Sequence, residues 1–155
     1  MNQSNATPPA QVGSALTCVM TLRVRYSEID QLGTFYNSRA LEWFECGRTE
    51  LMRSMGLPYT EWERRGVRLP LVEAHIEYRG RARYDDLLRL TTTLSMSGRA
   101  SLRFDVQIEQ ADGGAAVANG YTVHALTDAT GRAMRPPDWV KELLALSCIS
   151  HLPAA

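Results

Sequence analysis

From Cys18 to Tyr26, the apolar side chains of Cys18, Met20, Leu22, Val24 and Tyr26 alternate with Thr21, Arg23 and Arg25. A period of two predicts a strand with one buried face. The pattern breaks at Gly33 and resumes with a period near 3.6. Ala40, Leu41, Phe44, Gly47, Leu51, Met52 and Met55 share one side of a helix predicted over about Ser38 to Met55. Asn37 or Ser38 is placed to cap it through a side-chain oxygen. Gly56 and Pro58 supply the stop. Gly47 on the apolar face would let the helix lie close to a sheet. Arg48 on that face is unusual. Its aliphatic stem is expected on the core, its guanidinium paired with Glu45.

A short helical piece is predicted from Tyr59 to Arg65, and strand patterns follow. Val72, Ala74, Ile76 and Tyr78 form one alternating set, and Leu88, Leu90, Thr92, Leu94 and Met96 the next. Leu102, Phe104, Val106 and Ile108 form a third. Val117, Tyr121, Val123 and Ala125 form the last. The connections GRARYDD, SGRAS and ADGG have hairpin-loop composition, which predicts an antiparallel meander. A closing helix is expected over about Asp138 to Leu146, just after Pro136 and Pro137. Strand, long helix, then four strands is most simply packed as an α+β fold: an antiparallel sheet wrapped around one long helix. Exposed edge strands would then favour pairing between copies.

The 155 residues suit one domain. The expected division is a disordered polar tail over 1–15, a domain over 16–147 and a C-terminal tail over 148–155. Seventeen basic and seventeen acidic side chains balance, so nothing favours a nucleic acid or an anionic membrane as partner. Cys18, Cys46 and Cys148 have no CxxC spacing, which fits a reduced, cytoplasmic setting better than a disulfide framework. No HExxH, CxxC or close His/Asp/Glu cluster calls for a metal, and no GxSxG or P-loop is present. His75 and His124 sit within strands without a metal-ligand partner at suitable spacing.

The chemistry concentrates in YSEIDQLGTFYNSRALEWF, residues 26–44. Asp30 precedes a turn at Gly33, then Phe35, Tyr36 and the helix start at Asn37. A carboxylate is thus set near the positive end of a helix dipole. A base or nucleophile facing backbone N–H groups that hold an oxyanion is the equipment of acyl transfer. On spacing alone Asp30 reads better as an Asx-type turn residue. Glu28, on the same face if the strand continues, reads mainly as a salt-bridge partner for a nearby arginine.

The segments RYSEIDQLGTFYNSRALEWFECGR and YRGRARYDDLLRLTT resemble the hot-dog-fold acyl-CoA thioesterases of the 4-hydroxybenzoyl-CoA thioesterase and YbgC type. The resemblance spans roughly Leu22 to Asp128. It implies a hot-dog fold and hydrolysis of an acyl-CoA thioester to acid and CoA, with no cofactor. Asp30 takes the place of the catalytic carboxylate, as general base or nucleophile, and the Asn37 N–H that of the carbonyl-polarising donor. Gly33, Phe35 and Tyr36 would border the substrate. Arg99 and Ser101 would meet the CoA phosphates, and the site would lie between subunits of a homodimer or homotetramer. Asn37 departs from a position that often carries His in the YbgC branch, and Gln31-Leu32 replaces commoner small or Pro residues. An acyl carrier protein is the second substrate form, with Arg79 to Arg83 as its docking patch. A non-catalytic acyl-binding hot-dog protein and a hot-dog hydratase complete the readings to be separated.

Overall fold

A computed structural model describes residues 16–146. The expected tails and Cys148 lie outside the described residues. Strand β1 (Leu16–Arg23) leads through a 3₁₀ turn (Tyr26–Glu28) and a loop to helix α1 (Arg39–Ser54) and helix α2 (Tyr59–Arg64). Strands β2 (Leu71–Tyr78), β3 (Leu87–Met96), β4 (Ser101–Gln110) and β5 (Ala116–Ala125) follow, then helix α3 (Asp138–Leu146). The five strands form one antiparallel sheet in the order β1-β3-β4-β5-β2.

That order corrects the expected meander. The β3–β4 and β4–β5 connections are hairpins, but GRARYDD is not. It carries the chain from β2, at one edge, past β5 and β4 to β3, which pairs with β1 at the other. Loop composition marks a change of direction and cannot say which strand the chain meets next. The opening strand also stops sooner than its pattern suggests. Val24 donates to the Asp86 carbonyl, and Tyr26–Glu28 closes into the 3₁₀ turn.

One face of α1 covers the sheet. Ala40, Trp43, Phe44, Gly47, Leu51 and Met52 are buried against inward residues such as Leu90, Leu94, Phe104 and Val106. They fall in two clusters, one around Ala40, Trp43 and Phe44 and one around Leu51 and Met52. Gly47 permits the close approach foreseen for it: a Cβ there would overlap Thr92 Oγ1.

The inward face of β5 differs from the sequence reading. Thr122 and His124 stand opposite Phe104 and Leu102, and Gly120 opposite Val106. Gly120, Thr122 and His124 therefore face the helix, while Tyr121 and Val123 share the outer face. Two polar side chains and a glycine inside are invisible to a hydrophobic count. In β2, a bulge between Leu71 and Glu73 gives Leu71 the inward place expected of Val72.

Candidate active site

The loop between the 3₁₀ turn and α1 folds back on itself. Ile29 and Phe35 form an isolated antiparallel bridge. Asp30 N–H donates to the Thr34 carbonyl at 3.0 Å, and Tyr36 N–H to the Glu28 carbonyl at 2.8 Å. Gly33, at φ +70°, makes the tip; that conformation strains a residue carrying a Cβ. The loop is tied to the 79–86 crossover. The Phe35 N–H and the Thr34 hydroxyl both donate to the Ala82 carbonyl, at 3.0 and 3.2 Å. In turn, Gln110 Nε2 holds the crossover through the Arg81 carbonyl and Asp86.

Asp30 is half-buried in this loop. Its Oδ1 accepts from the Leu32 N–H at 2.7 Å, which is the Asx-type turn. Its Oδ2 has no hydrogen-bond partner among the described residues. One oxygen thus holds the loop and one is unengaged.

Across the fold-back, Asn37 and Ser38 form the turn that opens α1. Their N–H groups donate to no acceptor among the described residues. Neither side chain caps the helix. Ser38, at the N-cap position, is itself in the αR region with no side-chain cap bond, which corrects the capping expectation. The helix start therefore offers bare N–H groups at the positive end of its dipole. The Asn37 carbonyl is held by Tyr78, whose hydroxyl donates to it at 2.8 Å from the end of β2. Tyr78 escaped sequence reasoning because it looks like one more apolar strand position. Only the approach of β2 to the helix start gives it this contact.

Glu28 does not share a face with Asp30. It is 2% exposed and accepts from the Arg25 N–H (2.7 Å), the Arg25 guanidinium (3.0 Å) and Trp43 Nε1 (3.0 Å). Burial pushes its pKa up, but the bonds from Arg25 and Trp43 outweigh burial and leave it below the ordinary carboxylate value. Glu28 is the arginine partner foreseen for it.

The remaining site residues do not all converge. Phe35 is 5% exposed and packs on Trp43 and Tyr78, so it belongs to the core. Tyr36 is exposed beside the helix start. Arg99 and Ser101 lie at the opposite end of the sheet. Leu88 pairs with Gln110 near the Asp30 loop, whereas Met96 pairs with Leu102 beside the 97–100 turn. Eight strand residues, about 26 Å, separate those ends. Within one chain Asp30 and Arg99 do not meet. A groove of about 660 Å³ lies elsewhere, between β1 and α1, and is lined by Glu28, Trp43 and Cys46 but not Asp30.

A buried polar network lies farther along α1. Arg48 does not pair with Glu45. Its Nη1 donates to His124 Nε2 at 2.9 Å, while its guanidinium lies over Phe104. His124 Nδ1 is 2.9 Å from the Leu69 carbonyl and must donate to it, since Nε2 accepts from Arg48. The ring is neutral. Burial is the main cause that lowers its pKa to about 4, and the nearby Arg48 charge adds to it.

No helix among the described residues is long and apolar enough to cross a membrane. No cluster of three or more metal-ligating side chains occurs among them.

Residues 24–144 match the family model of the thioesterase-like superfamily. The chain is 38% identical over 65 residues to YneP of Bacillus subtilis, spanning 42% of this chain and 47% of YneP. It is 31% identical over 88 residues to the acyl-CoA thioesterase YbgC of Haemophilus influenzae, spanning 56% of this chain and 65% of YbgC. The chain thus spans less than two thirds of either relative's length. Among solved structures, Slr0204 of Synechocystis, a 1,4-dihydroxy-2-naphthoyl-CoA thioesterase, superposes with a TM-score of 0.76 at 20% identity. That match covers 83% of this chain and 96% of that one. Sheet order, central helix and matched length agree: the chain belongs to the thioesterase-like superfamily and has the hot-dog fold.

Proposed function

We propose that this protein is an acyl-CoA thioesterase whose site is built from the Asp30 loop and the opening turn of α1. The observation that carries this reading is the pairing of two unfilled groups on one pinned loop. These are a carboxylate oxygen of Asp30 with no partner and the bare N–H groups of Asn37 and Ser38. A thioester carbonyl set against the N–H groups is polarised, and they hold the negative charge that develops on its oxygen. Asp30 then has two routes. As general base it takes a proton from water while the water oxygen attacks the carbonyl carbon. As nucleophile it attacks directly, CoA thiolate leaves, and water hydrolyses the resulting anhydride. Both routes end in free acid and CoA.

A second subunit completes this reading. β2 is a sheet edge and exposes Leu71 (48%) and Tyr78 (51%) on its inward face. Antiparallel pairing of two β2 edges would bury them in a homodimer. Such pairing reverses the partner's sheet, so the end bearing the partner's Arg99 and Ser101 comes to the Asp30 end. CoA phosphates would meet them there, bound through guanidinium forks. Arg81 and Arg83 are exposed beside the Asp30 loop and make no side-chain ion pair among the described residues. They favour an acyl carrier protein as the second carrier of the same thioester.

The test is release of free thiol from a panel of aliphatic and aromatic acyl-CoAs, repeated with acyl carrier protein and with Asp30→Asn. Turnover that collapses in the folded variant supports the reading. Acyl binding without turnover on any carrier makes the chain a non-catalytic acyl-binding protein.

A further inference from the structure

Two polar contacts mark the side of α1 turned toward β2. At one end the Tyr78 hydroxyl holds the Asn37 carbonyl. At the other, Arg48 bonds His124, whose register partner in β2 is Leu71. Helix and strand therefore run in opposite directions. Leu41, 36% exposed, lies on the same side of the helix as Asn37 and Arg48. Ala74 and Ile76 stand on the inward side of β2, between Leu71 and Tyr78. Leu41, Ala74 and Ile76 are apolar, and Arg48 makes the far end cationic.

Arg48 also lines a cavity of about 270 Å³, together with Glu45, Thr49, Met52, Tyr59 and Leu69. A guanidinium has five N–H donors. The bond to neutral His124 is the hydrogen bond Arg48 makes among the described residues, and no carboxylate there lies within ion-pair distance. Glu45 shares the cavity but is exposed and does not reach the guanidinium. Charges drawn into protein are normally paired with an opposite charge, and this one, bonded to His124 and lying over Phe104, has none within ion-pair distance among the described residues.

We propose that an acyl chain ending in a carboxylate lies along this side of α1, and that Arg48 recognises that terminal carboxylate. This rests on the thioesterase reading above and narrows its substrate class to ω-carboxyacyl thioesters. Eleven helical residues from Asn37 to Arg48 span about 16 Å. A long helical side chain leans toward the N-terminus by about one turn, which leaves about 11 Å. That reach suits a medium-length dicarboxylic acyl group. His124 is the positioning residue: it takes one N–H of Arg48 and leaves the others toward the cavity.

The experiment compares kcat/KM for succinyl-, adipyl-, suberyl-, sebacyl- and dodecanedioyl-CoA with the neutral acyl-CoA of each length. The wild type is expected to favour the carboxylated member of the suberyl or sebacyl pair by about tenfold or more, the value of a charged hydrogen bond. Arg48→Gln should erase that preference while leaving the neutral series within about threefold. Glu45→Gln, on the exposed rim, should increase it. Equal losses on both series in Arg48→Gln, or no preference at any length in the wild type, overturns the proposal. If no acyl-CoA is hydrolysed, the thioesterase reading fails by itself, and calorimetry with free sebacate against decanoate decides the Arg48 site. Sebacate bound more tightly by wild type but not by Arg48→Gln upholds it, and equal or absent binding overturns it. Should Arg48→Gln not fold, Arg48→Lys and Glu45→Gln carry the same comparison.

Discussion

Glu28 and Asp30 are separated by one residue and inhabit opposite chemical worlds. Glu28 is sunk under Trp43, and its carboxylate accepts three hydrogen bonds. Asp30 sits half-buried on the loop with one oxygen committed to Leu32 and one unengaged. A carboxylate whose lone pairs are filled by protein cannot attack or deprotonate anything without dismantling its surroundings. One with a spare oxygen can. The first is committed to folding; the second is free for the chemistry proposed for it.

The largest expected effect tests the second half of that contrast. Asp30→Asn keeps an acceptor for the Leu32 N–H but loses basicity and nucleophilicity. Thiol release should fall by about 10²–10⁴-fold, with the thermal midpoint nearly unchanged. A folded Asp30→Asn with wild-type turnover would remove Asp30 from the reaction. Glu28→Ala should do the reverse. Trp43 Nε1 and the Arg25 amide lose their acceptor, and stability measured by urea unfolding should drop by about 3 kcal/mol. Per folded molecule, turnover should be retained.

Acid sharpens the contrast further. His124 stays neutral in the fold to about pH 4, while the unfolded chain takes up its proton near 6.5. Its contribution is complete above pH 6.5 and shrinks as pH falls from there to about 4. Glu28 acts lower: its folded pKa is depressed, so its contribution holds above the ordinary carboxylate value and is lost as pH drops through the folded one. Urea midpoints across this range should therefore decline in two stages, and His124→Gln should flatten the first. The smallest effect is expected at Asn37→Ala. No side-chain cap exists to lose, and the backbone N–H remains. Stability should shift by less than about 0.5 kcal/mol, with thiol release intact. A large loss of turnover would transfer the role from backbone to side chain.

Much of this was legible in the residues themselves. Period-two alternation gave the inward sets of β1, β3 and β4, and Gly33 marked its turn, because burial of one sheet face writes itself directly into the chain. The spacing from Asp30 to Asn37 also pointed to one loop. What escaped depends on distant partners. On the inside of β5, Gly120 stands where the β2 backbone at His75 leaves no room for a Cβ, and His124 serves as acceptor for Arg48, neither of which a strand pattern reveals. The role of GRARYDD as a crossover required knowing that β3 pairs with β1. Tyr78 acquires its hydroxyl contact only where β2 ends beside the helix start.

The pairing of β1 with β3 has a consequence for biogenesis. Leu16 waits for Leu94, so the first strand leaves the ribosome long before its mate has been made. Until then α1 exists with its greasy face uncovered. Contacts this remote along the sequence form slowly, and nascent chains in that condition are prone to clumping. Synthesis halted before β3 should therefore yield an insoluble fragment rather than a smaller folded protein.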